Sequence, residues 1–262
     1  MKTPAITMSK MLSRVPEITI AFWIIKILAT TVGETAADFL SVQLNLGSNV
    51  TSYVMSGLLV VVLLIQFLYV KKYVPASYWT AVVSMSIVGT LITDNLVDNL
   101  GISLTTTSIL FSIALAAVFV LWYLSEKTLS VHTIYSTKRE LFYWAAILFT
   151  FALGTAAGDL LAEGLSLGYG LSALMFAAFI GLIALAYSFK MNAILAFWMA
   201  YILTRPLGAS LGDLLSQPVD VGGLGLGTVG TSMIFLFSIL ILVVYLSITQ
   251  KKQTLVSELD QA

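Results

Sequence analysis

The chain has 262 residues, 59% of them hydrophobic and only 10% charged, with a net charge of zero and a mean hydropathy of +0.98. A soluble domain carries about 25% charged residues, so this composition excludes a soluble enzyme and a nucleic-acid-binding protein and leaves a membrane protein. Cysteine is absent and His132 is the lone histidine, which excludes disulfides, thiolate metal sites and bis-histidine haem.

Apolar runs of about 20 residues suffice to span a bilayer. In chain order they fall at about 18–41, 52–70, 78–98, 103–124, 141–163, 169–189, 193–215 and 228–248. These spans fill 1–262 as a single membrane domain. The first is too long for the core of a signal peptide. Lys2, Lys10, Arg14, Lys71, Lys72, Lys127, Lys138, Arg139, Lys190, Lys251 and Lys252 flank the spans on one side, and the four opposite loops carry no basic residue. The positive-inside rule then places both termini in the cytoplasm.

One pattern recurs four times. An aromatic–Trp pair is followed by Gly ten residues after the Trp, by Asp five residues later, and by Leu two beyond. The copies are Phe22-Trp23, Gly33, Asp38; Tyr78-Trp79, Gly89, Asp94; Tyr143-Trp144, Gly154, Asp159; and Phe197-Trp198, Gly208, Asp213. The repeats run over 18–72, 75–124, 140–190 and 193–250, with the polar loop 125–140 between the second and third. Each repeat holds two spans, so all enter the membrane from the same side and are related by rotation about its normal. The expected fold is an all-α polytopic bundle of eight helices, four parallel hairpins with pseudo-fourfold or two-by-two symmetry. At about 1.5 Å per residue, Trp and Asp lie roughly 22 Å apart in depth, with Trp toward the termini and Asp toward the opposite face.

On this pattern the chain resembles a family of bacterial integral membrane proteins built of four tandem two-helix repeats, each marked by a tryptophan and of unknown function. The resemblance covers about 18–250. It implies fold and topology and brings no established activity; the expected location is a bacterial inner membrane.

The repeated Asp38, Asp94, Asp159 and Asp213 sit inside apolar segments, where a carboxylate is costly and commonly functional. Three repeats add a second acid four residues away, on the same helix face: Glu34, Asp98 and Glu163. The fourth has Ala209 and Gln217 at those positions. If the odd spans surround an axis, seven carboxylates converge, an oxygen-rich site for Mn²⁺, Mg²⁺, Ca²⁺ or Na⁺, or a proton relay. The four Asp are the candidate metal ligands. The plainer alternative, an anchor at a helix end, suits Asp98 and Glu163 best.

Lys26 and Arg205 are basic residues within spans and break the fourfold pattern, as a directional site would. Both are candidates for pairing with an acid of a neighbouring repeat, and Lys26 also for snorkelling to the terminal face. Gly33, Gly89, Gly154 and Gly208 each have a small residue four positions on, a close-packing face. Pro206 is expected to kink the seventh span. The four Trp are read as wedges between helices, or as a cation–π wall. The Gly-rich run at 225–230 resembles a dinucleotide fingerprint, but no strand precedes it. The expected function is secondary transport of a small hard cation such as Mn²⁺, with a cation channel, a proton-coupled carrier of an organic solute, or a scaffold as alternatives. No enzyme activity and no cofactor beyond a bound cation are expected.

Overall fold

Every inner helix opens on a residue suited to start one. Thr19 and Ser136 accept hydrogen bonds from Phe22 N and Arg139 N (3.3 Å each), and Asn192 Oδ1 accepts from the amides of Ile194 and Leu195. Such caps satisfy amides that have no partner within the helix. Pro75 opens the remaining one, where its missing N–H costs nothing. The structure, a computed structural model, describes residues 13–259, with only the backbone described for 253–259. Lys2 and Lys10 lie outside the described residues.

The helices are α1 (Ile20–Asp38), α2 (Gly47–Leu68), α3 (Pro75–Asp94), α4 (Leu104–Glu126), α5 (Thr137–Asp159), α6 (Tyr169–Ser188), α7 (Ala193–Ser216) and α8 (Gly227–Leu259). Among the described residues there are eight helices long and apolar enough to cross a membrane. The odd-numbered helices bury 61, 61, 56 and 67% of their apolar windows, the even-numbered ones 22, 17, 22 and 22%. The odd helices are therefore the core, and the even ones carry the lipid-facing surface, with Val61, Ile113, Leu182 and Ile241 exposed.

The core is a closed ring, with α1 packed on α3, α3 on α5, α5 on α7, and α7 back on α1. This favours the fourfold arrangement over two separate halves. Within a repeat the two helices touch mainly near their connecting turn, and the broader contact of each second helix is with the next repeat. Thus α2 lies against α3, α4 against α5, α6 against α7, and α8 against α1, so each repeat covers the inner helix of the next.

The recurring residues make this rotation. Each pair stacks edge to face within its repeat, as in Tyr78–Trp79 at 5.1 Å and 89°. Each first aromatic also meets the Trp of the following repeat: Phe22 with Trp79, Tyr78 with Trp144, Tyr143 with Trp198, and Phe197 with Trp23. The eight rings close a circle, which supports the wedge reading of the tryptophans. Lys26 faces Phe151 and Tyr201 rather than a Trp.

The glycines repeat the rotation one level deeper. A methyl group on Gly33 would strike Ser86, on Gly89 Phe151, on Gly154 Arg205, and on Gly208 Thr30. Each struck residue stands seven after the Trp of the next repeat. Backbones approach closely here because no side chain intervenes. Helix α7 continues through Pro206.

Below the aromatic circle, on the terminal side, Ser13–Pro16 tucks under the ring. Arg14 N donates to Ile134 O, and Tyr73 N donates to Ser13 O. The Arg14 guanidinium pairs with Glu140, which is 1% exposed. Gln66 Nε2 (3.1 Å) and Trp144 Nε1 (3.3 Å) donate to the same carboxylate. The loop 125–140 is folded over this face, with Trp198 Nε1 donating to Leu129 O at 2.9 Å. Hydrogen bonds to a charged group contribute about 1.5–3 kcal/mol. Arg14→Ala is accordingly expected to cost about 2 kcal/mol and to expose the N-terminal segment to protease. Cleavage at the wild-type rate would show that the pair does not hold it.

Candidate functional site

At the end opposite the termini, three inner helices loosen in the same way. Directly after Asp38, Asp94 and Asp159 the chain makes one π-helical turn: Phe39–Gln43, Asn95–Asn99 and Leu160–Gly164. Wide i+5 bonds close them, such as Leu44 N to Phe39 O at 2.9 Å. Such turns are rare and gather at functional sites. The fourth repeat has Pro218 five residues after Asp213 and makes no such turn. Proline lacks the N–H for it, and Leu214 O accepts from Leu224 N instead (2.7 Å).

These ends frame a cavity of about 180 Å³ lined by Asp38, Asp94, Asp159, Asp213, Glu34, Asp98 and Glu163, with Ser41, Ser48, Thr93 and Gln217 and, among the described residues, no basic one. All seven acids expected from the sequence thus meet at one place. Asp98 and Glu163 lie exposed at the rim, Asp38, Asp94 and Asp159 are half-buried, and Asp213 is buried. Among the described residues none of the four repeated Asp forms a salt bridge. Nor is any group of three or more Asp, Glu, His or Cys side chains, among the described residues, disposed to hold a metal ion. The expected ligand set of Asp38, Asp94, Asp159 and Asp213 therefore frames a space rather than clasping a point.

Glu34 forms the floor. Its Oε2 pairs with Arg205 at 2.8 Å, and both side chains are buried. The Arg205 partner is thus Glu34 of another repeat, not Asp213 on its own helix. The same guanidinium donates to Thr30 O (2.8 Å), to Thr155 Oγ1 (2.7 Å) and to Thr90 Oγ1. One side chain from α7 therefore ties together α1, α3 and α5. The sequence contains a sign of this: the residue after each repeated Gly is Glu34, Thr90, Thr155 and Ala209. Three of these hold the guanidinium, and the fourth is small where Arg205 itself departs.

Lys26 lies a level nearer the termini. It is fully buried, its Nζ has no hydrogen-bond partner among the described residues, and it sits 4.3 Å from the ring centres of both Phe151 and Tyr201. It does not snorkel: the aromatic circle stands between it and the terminal face. Beyond it the Tyr78 and Tyr143 hydroxyls are hydrogen-bonded to each other.

A family model described as a repeat of unknown function (DUF347) matches the chain four times, over 21–72, 77–128, 142–192 and 196–252. Neither the curated proteins nor the solved structures contain a match.

Proposed function

The chain belongs to the family of the repeat of unknown function DUF347, and we propose that its four repeats together form a secondary transporter of a small cation. The observation that carries this reading is the cavity lined by seven carboxylates and, among the described residues, no basic side chain. Its field concentrates cations at the mouth. Acids spaced around a cavity, rather than gathered at ligating distance, suit a divalent ion that keeps part of its water shell, as Mg²⁺ does. Mn²⁺ of similar charge is the first candidate. A small organic cation is the second reading, favoured by the same spacing.

A carrier fits better than an open channel. Directly beneath the cavity the ring is filled by Arg205, Lys26, Phe151 and Tyr201, all fully buried. An ion that engages Glu34 competes with Arg205 for it, and Arg205 is the charge that returns to Glu34 and expels the ion. The absence of basic residues from the loops on the cavity side supports cytoplasmic termini in a bacterial inner membrane, with the cavity facing outward.

The test is uptake of Mn²⁺ into proteoliposomes by the wild type and by the variant with Asn at 38, 94, 159 and 213. Loss of at least tenfold in uptake, with the folded protein recovered in equal yield, is expected. Undiminished uptake of Mn²⁺ and of organic cations by the fourfold variant would refute the reading.

A further inference from the structure

The cavity opens at the end opposite the termini, where Asp98 and Glu163 lie exposed at its rim. A carrier opens its site to the two sides in turn, so passage to the terminal side requires a second opening. That side is closed by Ser13–Pro16, an irregular strap in which Arg14, Val15 and Pro16 are all buried.

Few bonds hold the strap among the described residues. Two join its backbone to the loops of the ring: Arg14 N to Ile134 O at 3.0 Å, and Tyr73 N to Ser13 O at 2.9 Å. The Arg14 guanidinium bonds through Nη1, to Glu140 Oε2 at 2.5 Å and to Thr137 Oγ1 at 3.5 Å, and its Nε has no partner among the described residues. Glu140 has other support. Gln66 and Trp144 donate to its second oxygen, Oε1, and Ser77 Oγ donates to Gln66 Oε1 at 2.6 Å. A carboxylate stripped of its buried partner is costly. Here it keeps two donors when Arg14 withdraws, and each hydrogen bond to a charged group offsets part of that cost.

One helix joins this pair to the cavity. Among the described residues two ion pairs are buried at both partners, Arg14–Glu140 and Arg205–Glu34, and both hold α1. Glu34, toward its outer end, is tied to Arg205 of α7. Arg14, six residues before Ile20, is tied to Glu140 of α5. Helix α1 is thus clamped on both sides of the aromatic circle, each time by a single charge contact.

We infer that the Ser13–Pro16 strap is the inner gate of this carrier, latched by Arg14 and Glu140 and drawn open by α1. The inference rests on the transport reading above. A cation that takes Glu34 from Arg205 frees the outer end of α1. A rigid helix transmits the resulting tilt along its length, and the strap is pulled from under the ring. Glu140, left with two neutral donors, is the acid that the cation meets on the terminal side. Return of Arg14 to Glu140 expels the cation there and closes the gate.

The chain has no cysteine, so introduced thiols are the only ones present. Positions 13 and 73 are joined by a backbone hydrogen bond, which places them within reach of a disulfide. Full-length Ser13→Cys/Tyr73→Cys in liposomes is expected to take up Mn²⁺ when reduced, to lose at least tenfold of that uptake when oxidised, and to regain it with reductant. Equal uptake by the oxidised and reduced forms overturns the inference and leaves the transport reading intact. Absence of Mn²⁺ uptake by the wild type overturns the transport reading, and the inference falls with it. If the double variant forms no disulfide, or carries nothing when reduced, the thiol of Val15→Cys decides, at a position only 5% exposed. Mn²⁺ is expected to speed its reaction with a water-soluble maleimide in detergent at least fivefold, and to have no effect once Asn also stands at 38, 94, 159 and 213. A rate that Mn²⁺ leaves unchanged in the Val15→Cys protein overturns the inference.

Discussion

Arg205→Met is expected to lower the unfolding free energy by about 3–5 kcal/mol, the range for removing one partner of a buried ion pair. The side chain is fully buried and reaches Glu34, Thr30, Thr90 and Thr155. Its loss leaves the Glu34 carboxylate buried without a cation and cuts the tie between α7 and the other three inner helices. A partner change separates these causes. Arg205→Met/Glu34→Gln removes both charges, and replacing both members of a buried pair is commonly near neutral. The double variant is therefore expected to regain more than half of the loss. Unfolding in detergent, followed by tryptophan fluorescence, checks both. If the double variant is as unstable as the single one, the cost lies in the lost ties to threonine and backbone, and the ion pair is not what secures the ring.

Gly154→Ala is expected to cost about 3 kcal/mol, at the upper end for forcing an extra carbon into a packed interior. Its new methyl would lie 2.5 Å from Arg205 Cβ and 2.9 Å from Pro206 Cδ. Neither neighbour can yield without moving α7, because one is held at its guanidinium and the other is part of the ring backbone. At Gly89 the methyl would lie 2.6 Å from Phe151 Cβ and 3.1 Å from Ala152 N, and the cost follows the same logic. Gly57 and Gly181, on the outer helices, have nothing within 4 Å of a new methyl. Alanine there is expected to be neutral or to stabilise by about 0.5–1 kcal/mol, because glycine is the poorer helix former. Thermal denaturation of the four variants side by side reads the contrast. Equal behaviour at inner and outer positions would show that the repeated glycines do not set the spacing of the ring.

The eight spans and the rotation relating them were readable from the sequence because hydropathy, charge placement and the Trp–Gly–Asp register are local or strictly periodic signals. The common depth of Asp38, Asp94, Asp159 and Asp213 followed from the same register; that they line one cavity did not. Nor did the partners of Arg205. They depend on which repeat stands beside which, and a chain of four equal repeats permits more than one order around an axis. Thr90 and Thr155 read as ordinary polar residues in apolar helices until they are compared with Glu34, one position after the shared glycine. Glu140 and Arg14 read as charges at a membrane edge. Their burial follows from the fold-back of Ser13–Pro16 under the ring, which no hydropathy pattern encodes. The cover that each second helix gives the next repeat was not readable for a related reason: adjacency in sequence fixed the direction of the second helix but not its main neighbour, and α2 lies along α3.

That handing-on of cover from one repeat to the next orders the assembly of the chain in time. The helix that lies against α1 is α8, the eighth span in chain order, and their contact includes the 2.7 Å bond between Thr35 and Ser232. Until α8 emerges, the first helix waits in the bilayer with its seam side unclad. That helix bears Lys26, Thr31, Glu34 and Thr35, all of them buried in the finished ring. Three completed repeats form an arc with two unmatched edges, and there is no smaller circle into which they can settle. Closure of this ring is consequently decided at α8, so a nascent chain that stalls before it offers an open flank to lipid, to a second arc, or to the cell's membrane quality control.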